Sequence, residues 1–135
     1  MAKLCDEGEA FFADAALKTA AADNLYLGLF TDALEPGEDA TLATITELPE
    51  ANGYLRIALA KANWTISGTA PTLAAQPQKA FTCTPVAWGN VSGYFICTGS
   101  TGTGGELIAV EKFADGPYNV PIDGVIKITP KLSWS

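Results

Sequence analysis

From residue 25 onward the chain is built of short apolar runs, most of them closed by glycine, proline, asparagine or aspartate. LYLGLFT, YLRIAL, NWTIS, KAFTCTP, VSGYFICTG, ELIAVEKF and VIKITPKLSWS succeed one another, and the second also allows a reading as a helix. Runs of this length, rich in Tyr, Phe, Ile, Val and Thr and punctuated by turn residues, are strands. A chain of six to eight such strands buries its apolar residues by folding into an antiparallel β-sandwich or a small barrel.

The segment before residue 25 differs. Asp6 followed by Glu9 places acids where a helix begins, and alanine-rich sequence then runs from Gly8 to Ala22. Phe12, Ala16 and Ala20 share one stripe, which Phe11, Ala15 and Leu17 widen, and Asp23-Asn24 closes it. The spacing predicts one N-terminal α-helix. The expected organisation is therefore a single domain over residues 1–135, with a helical segment at 1–24 and a mainly β domain at 25–135.

GYLRIALAKANWTIS, residues 53–67, holds the one arginine, Arg56. As a helix it would align Leu55, Leu59 and Ala62; as a strand, Leu55, Ile57 and Leu59 alternate with Tyr54, Arg56 and Ala58. The flanking Gly53 and the β-favouring Trp64-Thr65-Ile66 select the strand. Arg56 then lies opposite the Leu55/Ile57/Leu59 face, where it either pairs with a carboxylate through both ends of its fork or lies solvated along Tyr54 or Trp64.

Between LYLGLFT and this stretch, DALEPGEDATLATITELPEANG carries acids and turn residues, which predicts a long surface excursion with a short strand near Thr44–Glu47. SGTAPTLAAQPQ reads as a connection. The glycine-rich STGTGG opens a strand and not a helix, so it is a hairpin turn and not a phosphate loop. Pro130 marks an edge or a break in the last run.

Composition narrows the chemistry. Fifteen acids against eight bases give a net charge of −7, the wrong sign for a phosphate backbone, so nucleic acid is not an expected partner. There is no histidine, which removes Ser–His and Cys–His nucleophiles and the usual general base at neutral pH. Glu106 and Glu111 are the nearest candidates for a carboxylate pair, yet five residues of strand put them on opposite faces. Asp115 and Asp123 are read as solvated loop acids. Cys5, Cys83 and Cys97 have no metal-ligand spacing and read as reduced, mostly buried thiols, although Cys83 and Cys97 could meet across neighbouring strands. The expectation is no enzyme, no cofactor and no metal. No run reaches membrane-spanning length and MAKLCDEGEAFF lacks the features of a signal peptide, so no membrane partner is expected and the chain reads as made in the cytoplasm.

The order of features carries a resemblance. An alanine-rich helix leads into LYLGLFTDALEPGEDATLATITELPEANGYLRIAL; later come ANWTIS, AFTCT, VSGYFICT, GGELIAVEKFADGPYNV and IKITPKLS. With Gly53-Tyr54, Gly93-Tyr94-Phe95 and Phe113-Ala114-Asp115-Gly116-Pro117, this resembles small tailed-bacteriophage virion proteins of the capsid decoration, or cement, kind. The resemblance covers most of the chain and includes no catalytic motif. It implies a β domain, commonly a homotrimer, that binds the shell of major capsid protein and strengthens it, and so a place on the capsid surface of the virion. The alternative is a receptor- or glycan-binding adhesion module or a tail-associated virion protein. The aromatic and cationic residues expected at interfaces are Phe11, Phe12, Tyr54, Arg56, Trp88 and Tyr118.

Overall fold

A computed structural model describes residues 13–19, 24–68 and 71–134. Among these, eleven strands pair throughout in antiparallel fashion: β1 (Leu25–Phe30), β2 (Ile57–Leu59), β3 (Thr65–Ser67), β4 (Thr72–Ala75), β5 (Lys79–Thr82), β6 (Gly89–Val91), β7 (Gly93–Cys97), β8 (Leu107–Lys112), β9 (Tyr118–Val120), β10 (Val125–Ile128) and β11 (Lys131–Trp134). They form a four-stranded sheet in the order β2-β1-β7-β8, a three-stranded sheet β11-β4-β3, and the pairs β10-β5 and β6-β9. No sheet closes on itself, so of the two β architectures expected the sandwich-like one is observed and the barrel is not.

The four-stranded sheet is the middle layer. On one face Leu27, Leu29, Tyr94, Ile96 and Leu59 meet residues of the smaller sheets, among them Ala74, Phe81, Val91, Val120, Ile126 and Ile128. On the other, Phe30, Phe95 and Cys97 meet Leu42 and Ile45 from the excursion. Burial on both faces explains why β1 and β7 are almost continuously apolar and do not alternate with polar residues. Two cross-strand pairs set an aromatic ring against a glycine, Gly28 opposite Phe95 and Phe30 opposite Gly93. A Cβ on Gly28 would collide with the Phe95 ring, so this glycine is a packing requirement.

Several expectations are corrected. An α-helix over 8–22 is not supported: only 13–19 of that segment is described, and Ala15–Thr19 within it is π-helical, with Leu17 reaching the core. The stretch 53–67 is no single strand. β2 ends at Leu59, one turn of 3-10 helix follows at Lys61–Asn63, and β3 then joins a different sheet. Its expected polarity also reverses at the start, with Leu55 63% exposed and Arg56 only 8% exposed. The cause is the turn before it, where Asn52 and Gly53 both take positive φ and aim Tyr54 and Arg56 inward. Gly53 is needed there, because a Cβ would also strike the Thr82 carbonyl.

The short strand expected near Thr44–Glu47 is reduced to one bridge, Phe30 with Glu47, beside a turn over Thr41–Ile45. TLAA, read as connection, is β4, the central strand of its sheet, and YNV between Pro117 and Pro121 is β9. Pro130 does separate two strands, β10 from β11. The glycine-rich turn joins β7 to β8 as a hairpin.

Candidate functional site

β2 pairs with β1 only as far as Leu27, leaving the edge of β1 beyond it without a strand partner. The excursion takes that place. Leu48 N–H donates to the Leu29 carbonyl (3.0 Å), and Thr31 N–H donates to the Thr46 carbonyl (2.8 Å). The Leu29 N–H in turn donates to the Tyr54 hydroxyl (3.0 Å), which itself donates to Glu47 Oε1 (2.7 Å). Backbone groups that an absent strand would have paired are thus satisfied.

Arg56 completes this cluster. Its Nε donates to Glu47 Oε1 (2.9 Å) and its Nη2 to Glu47 Oε2 (2.6 Å), a two-point pair. Nη1 donates to the Gly99 carbonyl (2.8 Å) and Nη2 also to the Gly102 carbonyl (2.7 Å), so the same guanidinium holds the β7–β8 turn. Its Cζ lies over the Phe95 ring, 5.3 Å from the ring centre, the ring that Gly28 admits. Four separate pieces of chain therefore converge on one side chain: the excursion, the entry to β2, the hairpin tip and β7. Glu47 raises the Arg56 pKa against the opposing effect of burial, so the cation is firmly held. Burial and the adjacent Glu47 carboxylate push Tyr54 well above the usual phenol range.

Of the two roles open to Arg56, the structure contains the bidentate one, within this chain. Glu47 was not anticipated as its partner. The one signal available was that a lone arginine entering the interior needs a carboxylate, and the excursion offers several.

The remaining expected interface residues are dispersed. Tyr54 is 1% exposed, so neither it nor Arg56 is available on the surface of this chain. Trp88 is half-buried; its indole N–H donates to the Asn52 carbonyl (2.8 Å) and its ring stands edge-on to Tyr54 at 6.1 Å. It supports the turn that aims Tyr54. Tyr118 does reach the surface at 43% exposure, its ring tilted against that of Phe113 with centres 5.1 Å apart. Phe11 and Phe12 lie outside the described residues.

Glu111 accepts from the Tyr94 hydroxyl (2.7 Å) directly across the β7–β8 ladder, and burial with this contact raises the Tyr94 pKa. Cys83 and Cys97 are separate buried thiols in different clusters, and desolvation pushes Cys97 up. Among the described residues no three His, Cys, Asp or Glu side chains converge, and no helix is long and apolar enough to cross a membrane.

Two surface concavities stand apart from this cluster. One, of about 480 Å³, lies within the excursion between Asp32 and Ile45. The other, of about 450 Å³, opens between β9 and β10 over Phe113 and Tyr118. Leu34, 81% exposed on the excursion, is the most exposed large apolar side chain among the described residues. Comparison with known protein families, characterised proteins and solved structures finds no match to this chain.

Proposed function

We propose that this chain is a structural protein of a tailed-bacteriophage virion, which self-associates as a trimer, decorates the shell of major capsid protein and stabilises it. The observation that carries this reading is the clamp on the excursion. Arg56 and Tyr54 hold Glu47, while Leu42 and Ile45 seat the same loop on the four-stranded sheet. The loop's outer part meanwhile presents Leu34, Glu35, Glu38 and Asp39 to solvent. A contact element ordered before binding loses little conformational freedom on association. The polar groups of the clamp serve each other, which suits a scaffold better than a reaction centre. The resemblance in the order of sequence features supplies the shell as the partner.

The test is binding of the purified protein to assembled shells and to free coat subunits, followed by stress of particles that lack it. The reading expects cosedimentation with shells alone, and rupture of the depleted particles at lower temperature or milder osmotic shock. Depleted particles that are equally robust but no longer adsorb to cells would replace this reading with the adhesion module.

A further inference from the structure

The groove between β9 and β10 is a gap between two small sheets. β9 pairs only with β6 and β10 only with β5, and the turn at Pro121–Gly124 lets the two strands diverge. Its walls are mostly apolar, with Phe113, Tyr118, Val120 and Val125 prominent beside Asn119, and Val125 is 49% exposed at the rim. Among the described residues Lys127 is the one charged residue that lines it. A groove of this kind suits one large aliphatic side chain with carboxylates beside it.

This chain carries such a segment. Leu34 projects from the excursion with Glu35 next to it and Glu38 and Asp39 close behind, all exposed. Glu35 is already engaged, accepting from the Lys112 N–H at 3.4 Å, whereas Lys112 Nζ holds the Ala33 carbonyl at 2.8 Å. These contacts fix the base of the loop and leave its Leu34 and its last two acids facing outward.

The two features lie on opposite sides of the central sheet. The loop belongs to the side of Phe30, Phe95 and Ile45, and the groove is walled by Val120 and Ile126 from the cluster on the other side. A loop therefore meets a groove only on another molecule, and the contact is head to tail. Contacts of that type close into rings when the rotation between copies closes and otherwise run on as open filaments, whereas a two-fold dimer uses one patch twice.

We propose that the β9–β10 groove receives the loop 34–39 of a second copy of this chain, with Leu34 entering the groove and Glu38 and Asp39 facing Lys127. The proposal rests on the self-association read above and names the surfaces that carry it. Once joined, the copies of one ring meet the shell together, so that weak individual contacts act jointly.

Sedimentation equilibrium of the full chain tests it, at low and at high salt. Burying a leucine contributes about tenfold to a hundredfold in affinity, so Leu34→Asp is expected to weaken self-association at least about tenfold. Lys127→Glu is expected to weaken it at low salt, with a smaller loss at high salt, where charges are screened. A chain carrying Lys127→Glu together with Glu38→Lys and Asp39→Lys reverses both sides of the contact and should recover association that Lys127→Glu alone loses. Circular dichroism confirms that each variant is folded. If wild type assembles and Lys127→Glu or Leu34→Asp assembles equally well, this contact is wrong while the shell-binding reading stands. Loss with Leu34→Asp alone, and none with the charge reversals, identifies a same-patch contact and also overturns the proposal. Wild type that binds shells as a monomer does the same.

Discussion

Arg56 and Glu47 meet through two hydrogen bonds, 2.9 Å and 2.6 Å, although they stand nine positions apart with a turn of reversed backbone between them. The pair is asymmetric: the Arg56 side chain is 1% exposed and that of Glu47 is 21% exposed. The guanidinium is therefore the buried member and its four hydrogen bonds define the geometry. Lysine has no planar fork and cannot reach the carboxylate and two carbonyls in these directions at once.

Arg56→Ala is expected to destabilise the fold by about 3 kcal/mol, the low end for breaking a buried pair, because Glu47 retains some water. Arg56→Lys should recover less than half of that loss. Glu47→Gln keeps the shape but leaves the guanidinium without a counter-charge, and should cost about 2 kcal/mol. Urea denaturation measures all three. A value for Arg56→Ala within about 0.5 kcal/mol of wild type, the range of an ordinary surface substitution, would remove the clamp from the account.

High pH should unfold the protein through Tyr54 and Tyr94. Both have pKa values raised in the folded state, by burial first and by a neighbouring carboxylate second. Above about pH 10, the ordinary phenol value, the unfolded chain has released these protons and the folded chain has not. Stability is thus fully present below that pH and falls as pH rises further, by up to about 1.4 kcal/mol per pH unit from Tyr54. Tyr54→Phe and Tyr94→Phe should each flatten the alkaline decline. The check is denaturation midpoints across pH 9–12 with phenolate absorbance followed in parallel. Ionisation of these two tyrosines while the fold persists would count against it.

Cys83 and Cys97 are expected to resist alkylation in the native protein, since both are fully buried and burial disfavours the Cys97 thiolate. In denaturant without reductant both should react completely, as peptide mass analysis reads directly. A peptide linking the two would mean that they pair, against their placement in separate clusters.

The β character and the strand runs at β1, β5, β7, β8 and β10 were legible because short apolar runs between turn residues have few other uses. β4 was not, because Thr72-Leu73-Ala74-Ala75 is alanine-rich and flanked by prolines. Its strand state comes from being paired on both sides, by β3 and β11, with Thr72 and Ala74 inward and Leu73 turned out. A carboxylate pair was one of two roles legible for Arg56, and the direction of its side chain was not legible. Strand alternation from Leu55 assumes that the strand begins there, and the positive φ at Asn52 and Gly53 resets the phase. Partner choice was equally hidden, since the contacts with Gly99 and Gly102 cross more than forty residues of chain.

Gly28→Ala is the smallest change expected to disturb the clamp without touching it. Gly28 faces Phe95 across the β1–β7 ladder, and a Cβ at this position would collide with the ring. Arg56 lies against the same ring, and Phe95 is completely buried, so the ring has no room to yield without displacing the guanidinium. Overpacking of this sort costs roughly 1–3 kcal/mol, and the rigid aromatic on one side and fixed cation on the other put Gly28→Ala at the upper end. Phe95→Leu leaves a cavity and is itself destabilising, yet it removes the ring that the new methyl would strike. The double variant Gly28→Ala/Phe95→Leu should therefore be more stable than the sum of the single losses implies, by about 1 kcal/mol or more of coupling. Urea denaturation of the four proteins of this cycle gives the number directly. Strict additivity would mean that the collision is relieved elsewhere in the sheet and that Gly28 has no part in seating Arg56.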